Sequence, residues 1–128
     1  MQNLDKPHIL SQRRIDQVTL YYALVDSDQI DQLVDLFAAD AVYHRPGYPP
    51  LVGQHELRRF YREARVIDRG RHVLQSVLVQ DDSTAVQGTF TGVLKDQTAV
   101  SLRFADFFTS GLDERFVRRD TYFFAPLV

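Results

Sequence analysis

The first half of the chain has apolar residues at the spacing of α-helices. Two helices are predicted before residue 40 from these apolar positions: Ile15, Val18, Tyr22 and Val25, then Ile30, Leu33, Val34 and Phe37. A short strand, AVYHR, and an irregular proline-rich loop, PGYPPLVG, come next. A third helix is then predicted from one further apolar stripe: Leu57, Phe60, Tyr61 and Ala64.

From residue 71 onward the hydrophobic period shortens to that of β-strands. Four segments rich in β-branched and aromatic residues are separated by DDS, KDQ and SGLD: RHVLQSVLVQ, TAVQGTFTGVL, TAVSLRFADFFTS and ERFVRRDTYFFA. This pattern predicts a bent antiparallel meander covered on one face by the helices. We therefore expect residues 1–128 to form a single α+β domain. We predict these core residues: Ile15, Val18, Leu33, Phe37, Phe60, Leu102 and Phe104.

Composition and charge argue against several classes of function. A net charge of −2 gives no global field for nucleic acid or an anionic membrane, and no stretch is apolar enough to span a bilayer. The chain has no Cys, and its four His are scattered without a metal-binding spacing, so no metal is expected. No phosphate loop or dinucleotide fingerprint is present, so no cofactor is expected. Without a signal-peptide pattern, we expect a cytoplasmic protein.

One carboxylate occupies an unexpected position in the stretch VSLRFADFF. In a strand, Asp106 shares its face with Leu102, Phe104 and Phe108, whereas Arg103 points the other way. No local cation is evident to neutralise it. Either Asp106 serves a pocket, or it pairs with an arginine from the helices or with backbone at a sheet bend.

Three segments together resemble the nuclear transport factor 2-like superfamily, particularly its ketosteroid isomerase and SnoaL-like polyketide cyclase branches. They are YYALVDSDQIDQLVDLFAADAVYHRPG, PPLVGQHELRRFYRE and RFADFFTSGLDERFVRRDTYF. The resemblance implies a cone-shaped, cystatin-like fold in which three N-terminal helices pack on a curved, mainly antiparallel sheet. It also implies a pocket for a hydrophobic small molecule and a homodimer formed through the outer sheet face. Val117, Thr121 and Phe123 are the residues expected on that face.

The isomerase branch implies an oxyanion hole. Tyr21 falls at its first-helix tyrosine, Tyr61 at a supporting tyrosine, and Asp106 at an aspartic acid that an apolar site keeps protonated as a hydrogen-bond donor. The residue expected to be the base is Arg45, and a guanidinium cannot abstract a proton at neutral pH. Steroid isomerisation by that mechanism is therefore not expected.

The cyclase branch implies an acid/base aspartate on the last strand, at Asp120. The alternative is that Asp120 simply pairs with Arg118, on the same face. Limonene epoxide hydrolases have a last-strand motif similar to RRDTYFF, but they also need an Arg-x-Asp pair that TAVQGTFTGVL lacks. Epoxide hydrolysis is the weaker alternative.

The residues and the resemblance together predict an enzyme without a cofactor, acting by general acid/base catalysis on a hydrophobic carbonyl compound as a cyclase, isomerase or dehydratase. Candidate catalytic residues are Asp106, Asp120, Tyr21 and His44, and candidate substrate-binding residues are Arg45, Tyr61, Phe104, Phe108 and Tyr122. Alternation puts only one of His44 and Arg45 in the pocket. The alternative to a catalytic role for His44 is a hydrogen bond to the loop backbone. The alternative is a non-catalytic module that binds a ligand or a partner chain, with its cavity filled by Phe and Tyr.

Overall fold

The computed structural model of the chain describes residues 6–124. Its elements follow in this order: α1 (Lys6–Asp26), α2 (Ile30–Val34), β1 (Phe37–His44), β2 (Leu51–Val52), α3 (Gly53–Arg59), β3 (Ile67–Gln80), β4 (Ser83–Leu94), β5 (Ala99–Ser110) and β6 (Phe116–Phe123). A π-helical turn, Phe60–Ala64, continues α3. Among these residues no helix is long and apolar enough to cross a membrane.

One six-stranded sheet forms the body of the fold, in the order β2-β1-β6-β5-β4-β3. All neighbouring strands run antiparallel except β1 and β6, which run parallel. Three helices packed on a mainly antiparallel sheet confirm the predicted α+β class, although β1 and β2 of that sheet precede α3. Strands β3 to β6 occur in chain order, as the predicted meander requires.

The helices cover one face of the sheet, which we call the inner face. On α1, Val18, Tyr21 and Tyr22 are buried, and the rings of Tyr21 and Tyr22 pack against Phe108 of β5. Side chains that alternate along β5 are buried at Phe104, Asp106 and Phe108. Of the predicted core, four residues are buried (Val18, Leu33, Phe37 and Phe104), whereas Phe60 and Leu102 are half-buried against them.

Ile15 is the exception, because it is only half-buried and lies outside the hydrophobic core cluster. The second helix is also shorter than predicted. It ends at Val34, and Phe37 instead opens β1, where it pairs with Phe116 of β6. Sheet pairing therefore overrides the helical spacing of Phe37. Within the proline-rich loop, Leu51 and Val52 form β2 against β1.

A pair of glycines makes room for an aromatic ring in the sheet. Gly70 of β3 and Gly92 of β4 are cross-strand partners, and the ring of Phe90 lies against both. A Cβ atom at Gly70 would come within 2.2 Å of that ring, and one at Gly92 within 2.6 Å. The two glycines thus set the position of Phe90, which forms part of the pocket wall described next.

Candidate functional site

A pocket opens between α1, α3 with its π-helical turn, and the inner face of the sheet. The space inside it, with its open mouth included, is about 820 Å³. Its wall is mostly apolar and includes Val25, Phe60, Ile67, Phe90, Leu102 and Phe104. Its polar groups are concentrated among Tyr21, Tyr43, Tyr61, His72, Asp106, Arg119 and Thr121. An apolar chamber with a few convergent polar groups is the usual form of a ligand site.

Asp106 is fully buried and forms an ion pair with Arg119, from the neighbouring strand β6. The pair is bidentate: Arg119 Nη2 donates to Oδ2 at 2.9 Å, and Nε donates to Oδ1 at 3.2 Å. The arginine pairing that the sequence left open is therefore present, but the cation comes from the neighbouring strand and not from the helices. The register explains why, since Asp106 lies opposite Thr121 and Arg119 is two residues away on the same face of β6.

Two hydroxyl groups complete the surroundings of the Asp106 carboxylate. Tyr22 donates to Oδ2, and Thr121 donates to Oδ1. With the two arginine contacts, each oxygen accepts two hydrogen bonds, which uses the acceptor sites of an ionised carboxylate. A carboxylate that accepts from four donors has no proton to give, so this geometry does not fit the expected protonated donor.

The hydroxyl groups of Tyr21 and Tyr61 form a second part of the same network. They are hydrogen-bonded to each other, and Arg119 Nη1 donates to both, at 3.0 Å for Tyr61. Two hydroxyls carry two protons, and only one proton lies between them. Among the residues that the structure describes, the other hydroxyl proton has no acceptor. The network therefore presents a spare O–H donor beside a cation.

Electrostatics keep this network in one charge state. Burial alone would lower the pKa of the Arg119 guanidinium, but Asp106 and the surrounding tyrosines together raise it well above its ordinary value. The guanidinium also lies over the rings of Tyr43 and Tyr21, with its carbon 4.4 Å and 4.6 Å from their centroids. Burial raises the pKa of both phenols, to about 12 for Tyr43. Arg119 is thus cationic and these phenols are neutral at physiological pH.

His72 and Asp26 form a separate pair at another wall of the pocket. Asp26 is the last residue of α1, and its Oδ1 lies 2.6 Å from Nδ1 of His72 on β3. The other oxygen, Oδ2, accepts the backbone N–H of His72 at 2.8 Å. Both side chains are largely buried. Sequence analysis gave neither residue a role.

The mouth of the pocket holds Arg45, so of the two rim candidates it is Arg45 and not His44 that lines the cavity. Its guanidinium carbon lies 4.2 Å from the ring centroid of Phe60 and 4.5 Å from that of Tyr48. The predicted binding residues Tyr61 and Phe104 also line the pocket.

Asp120 and His44 lie on the opposite, outer face of the sheet and do not line this pocket. Arg118 Nε donates to Asp120 Oδ2 at 2.8 Å, which is the alternative pairing that the sequence suggested. His44 Nδ1 lies 3.0 Å from Asp120 Oδ1 without the alignment of a hydrogen bond. The two candidate catalytic carboxylates, Asp106 and Asp120, therefore do not face one pocket, because Asp120 is opposite Phe107 and Asp106 alone of the two points inward.

Four further residues are not where the sequence analysis expected them. Tyr122 is exposed on the outer face, and Phe108 is buried in the core behind the pocket, so neither lines the cavity. Thr121 is buried on the inner face, and Phe123 lines the pocket, so neither is on the outer face as expected. Val117 is half-buried. Within residues 6–124, no group of three potential ligands is placed to hold a metal ion.

Sequence reasoning missed Arg119 and the Asp26–His72 pair. Alternation puts Arg119 on the strand face opposite to that of Arg118, Asp120 and Tyr122, but the register of β6 on β5 decides which of these faces is inward. Asp26 and His72 are 46 positions apart, and no local spacing signals their contact.

Comparisons with known proteins agree with this architecture. The SnoaL-like domain family matches residues 18–119. A search of curated proteins found no match. The structure of the epoxide hydrolase/cyclase-like enzyme SalBIII, which has a role in pyran ring formation in the polyether salinomycin, is similar with a TM-score of 0.78 at 18% identity, covering 88% of this chain and 92% of that one.

Two other solved structures are similar. One is an NTF2-like protein of unknown function from Burkholderia pseudomallei, with a TM-score of 0.79 at 16% identity over 87% of this chain and 90% of that chain. The other is a hypothetical protein from Catenulispora acidiphila with a ketosteroid isomerase-like fold, in complex with trimethylamine; its TM-score is 0.74 at 18% identity over 83% of both chains. At these identities the likeness shows the fold alone. The predicted nuclear transport factor 2-like fold is confirmed.

Proposed function

Because this chain belongs to the SnoaL-like domain family, we propose that its pocket is the active site of an acid/base enzyme acting on a hydrophobic carbonyl compound. The reaction class is enolisation, as a step of an isomerisation, cyclisation or dehydration. The observation that carries the proposal is the spare hydroxyl proton of the Tyr21–Tyr61 pair, held next to the Arg119 cation in the pocket.

The donor that reaches the ligand is assigned to Tyr61. Tyr61 is the more exposed of the two residues, at 7% against 1%, so we assign the shared proton to Tyr21 as donor and the free proton to Tyr61, facing the cavity. As a substrate loses a proton beside its carbonyl group, negative charge collects on the carbonyl oxygen. A fixed O–H donor and a neighbouring cation stabilise that charge more than they stabilise the neutral ketone.

Asp106 has an indirect role in this proposal. Its bidentate bond to Arg119 holds the guanidinium flat against Tyr21 and Tyr43, and its charge keeps the network neutral overall. Arg119 can therefore donate to both tyrosines without leaving an unpaired charge in the core. Asp106 positions the donors and does not touch the substrate.

The open cavity favours a ligand site over a purely structural association module. A module without a ligand would fill this space with Phe and Tyr, whereas here Phe60, Phe90 and Phe104 line a void. Epoxide opening also needs a donor to an oxygen, and SalBIII is named epoxide hydrolase/cyclase-like. The Arg-x-Asp pair expected for epoxide hydrolysis is absent from β4, whose sequence has no acidic residue.

Binding of β-naphthol against naphthalene tests the oxygen-holding role directly. The two probes share a ring system, and β-naphthol adds a hydroxyl that imitates an enol. A hydrogen bond in this charged setting should make β-naphthol bind about ten-fold more tightly, measured by fluorescence titration.

The Tyr61→Phe variant should lose this preference while still binding naphthalene. Tyr48→Phe is the matched control, since Tyr48 lines the mouth of the pocket but is more than half exposed. Equal affinity for both probes in the unmodified protein, or a preference that survives Tyr61→Phe, would contradict the proposal.

The outer face of the sheet supports a proposal on assembly. Leu78, Phe107 and Tyr122 are exposed there at 68%, 48% and 57%, and all three border one shallow groove. Apolar exposure on this scale is typical of an interface, so we propose a homodimer through this face. Light scattering should give twice the chain mass at micromolar concentration and the single-chain mass for Phe107→Glu. A monomer before substitution would contradict the dimer.

A further inference from the structure

The proposed function leaves one task without a residue, namely removal of the proton from the substrate carbon. Asp106 has every acceptor site occupied, and Asp120 and His44 lie on the outer face. Arg45 and Arg119 have no lone pair to offer. Among the residues that line the pocket, His72 is the one remaining side chain with a ring nitrogen that can accept a proton.

We propose that His72 is the catalytic base of this pocket and that Asp26 is its positioning residue. The inference rests on the proposed function of the site and names the group that moves the proton. It stands on the geometry of two residues that are distant in sequence and meet at the pocket wall.

The contact with Asp26 fixes the tautomer of the histidine. A carboxylate oxygen 2.6 Å from Nδ1 is an acceptor, so Nδ1 carries the proton of the neutral ring. The lone pair is then on Nε2, for which the described residues provide no partner. Since the ring lines the pocket, Nε2 is the nitrogen available to a ligand.

The ring is also held in place by packing. Its centroid lies 4.7 Å from that of Phe90, 5.4 Å from that of Phe104 and 5.0 Å from that of Tyr22. The second Asp26 oxygen binds the backbone of His72, so one carboxylate anchors both the strand and the imidazole. Apolar walls and a fixed ring suit a base that acts on a C–H bond in a water-poor space.

The step balances without a further reactant. Nε2 takes a proton from the carbon beside the carbonyl group, and the electron pair of that C–H bond forms the new C=C bond. The carbonyl π electrons move to the oxygen, which Tyr61 and Arg119 stabilise. The imidazolium, stabilised by Asp26, then returns the proton to carbon.

Hydrogen exchange measures this step without knowledge of the natural substrate. The bicyclic ketone β-tetralone carries acidic hydrogens beside its carbonyl group, and NMR in heavy water records their replacement by deuterium. The unmodified protein should accelerate the exchange above the buffer rate. His72→Gln should lower the acceleration by about 10²-fold or more, and Asp26→Asn by about ten-fold.

Controls separate chemistry from folding. His72→Gln should still prefer β-naphthol over naphthalene, because the Tyr61 donor is intact. His55→Gln, at an exposed histidine of α3, should exchange at the unmodified rate. In His72→Ala, added imidazole should restore part of the exchange, a response that a merely structural histidine would not give. Rescue by imidazole should be absent in Asp26→Asn, where the base is still present.

The outcomes distinguish the two proposals. Exchange by the unmodified protein that persists in His72→Gln, with the naphthol preference retained, would overturn the role of His72 and leave the proposed function standing. No exchange by the unmodified protein would overturn the proposed enolisation itself, and the role of His72 with it.

Discussion

Strands β5 and β6 carry two aspartate–arginine pairs that differ in little except the face on which they lie. On the inner face, Asp106 and Arg119 are buried, joined by two hydrogen bonds and surrounded by hydroxyl groups. On the outer face, Asp120 and Arg118 form a single contact, and Arg118 is half exposed. Arg118 and Arg119 are neighbours in sequence, so strand alternation alone separates them.

The difference teaches that the environment of a charge pair, rather than its residue types, decides what it can do. In the proposed function, the inner pair holds Tyr21 and Tyr61 as a donor site, because Arg119 donates to both hydroxyls in surroundings of low polarity. The outer pair is screened by solvent and borders the proposed dimer face.

The largest expected effect is on the inner pair. Arg119→Met removes the only cation that contacts Asp106 in the described chain and leaves a buried carboxylate with two hydroxyl partners. The free energy of unfolding should fall by about 3–5 kcal/mol, measured by urea denaturation. Arg118→Met is the matched control and should leave the urea midpoint nearly unchanged. Equal effects of the two substitutions would remove the distinction between the faces.

A smaller effect is expected from a single hydroxyl. Thr121→Val removes one donor to Asp106 and should lower the free energy of unfolding by about 1–3 kcal/mol. Thr109→Val makes the same change on the outward-facing side of β5, opposite Arg118. It should have little effect in the same denaturation experiment. A loss at Thr109 as large as that at Thr121 would contradict the assignment of the faces.

The fall of the free energy of unfolding at high pH gives a third, smaller effect. An ordinary tyrosine in the unfolded chain ionises near a pKa of about 10, whereas burial raises the pKa of Tyr43 in the folded protein to about 12. Between these values the folded state binds more protons, so its stability falls as pH rises. Tyr43→Phe should reduce that fall by up to about 1.4 kcal/mol per pH unit.

Tyr48→Phe is the control for this titration, because Tyr48 is exposed in the loop before β2. Unfolding by urea at a series of pH values above 10 provides the measurement. A Tyr43→Phe variant with the same alkaline slope as the unmodified protein would show that this phenol ionises freely in the folded state.

The fold was largely predictable because hydrophobic periodicity and turn residues are local signals in the sequence. The helical stripe of α1, the alternation along β5 and the turn residues between strands each lie within a few positions of the chain. The resemblance to a known superfamily added the pocket and the position of Tyr21 and Tyr61. Phe37 misled the prediction, because its helical spacing was overridden by pairing with Phe116.

The site was predicted less well because it depends on register. The pairing of β5 with β6 contains a shift between Thr109 and Ser110, next to the SGLD turn, and one residue of register reverses which of Arg119 and Asp120 faces inward. The sequence does not specify such an irregularity. The Asp26–His72 contact joins the end of α1 to β3, so only the packed structure brings it together.

The most direct test of the account compares the two faces in one assay, the exchange of β-tetralone hydrogens in heavy water. Tyr61→Phe removes the inner donor, and Asp120→Asn neutralises the outer carboxylate while keeping its shape. We predict that Tyr61→Phe lowers the accelerated rate by about 10²-fold and that Asp120→Asn leaves it unchanged. Exchange that is lost in Asp120→Asn and kept in Tyr61→Phe would contradict the account, because the chemistry would then depend on the outer face.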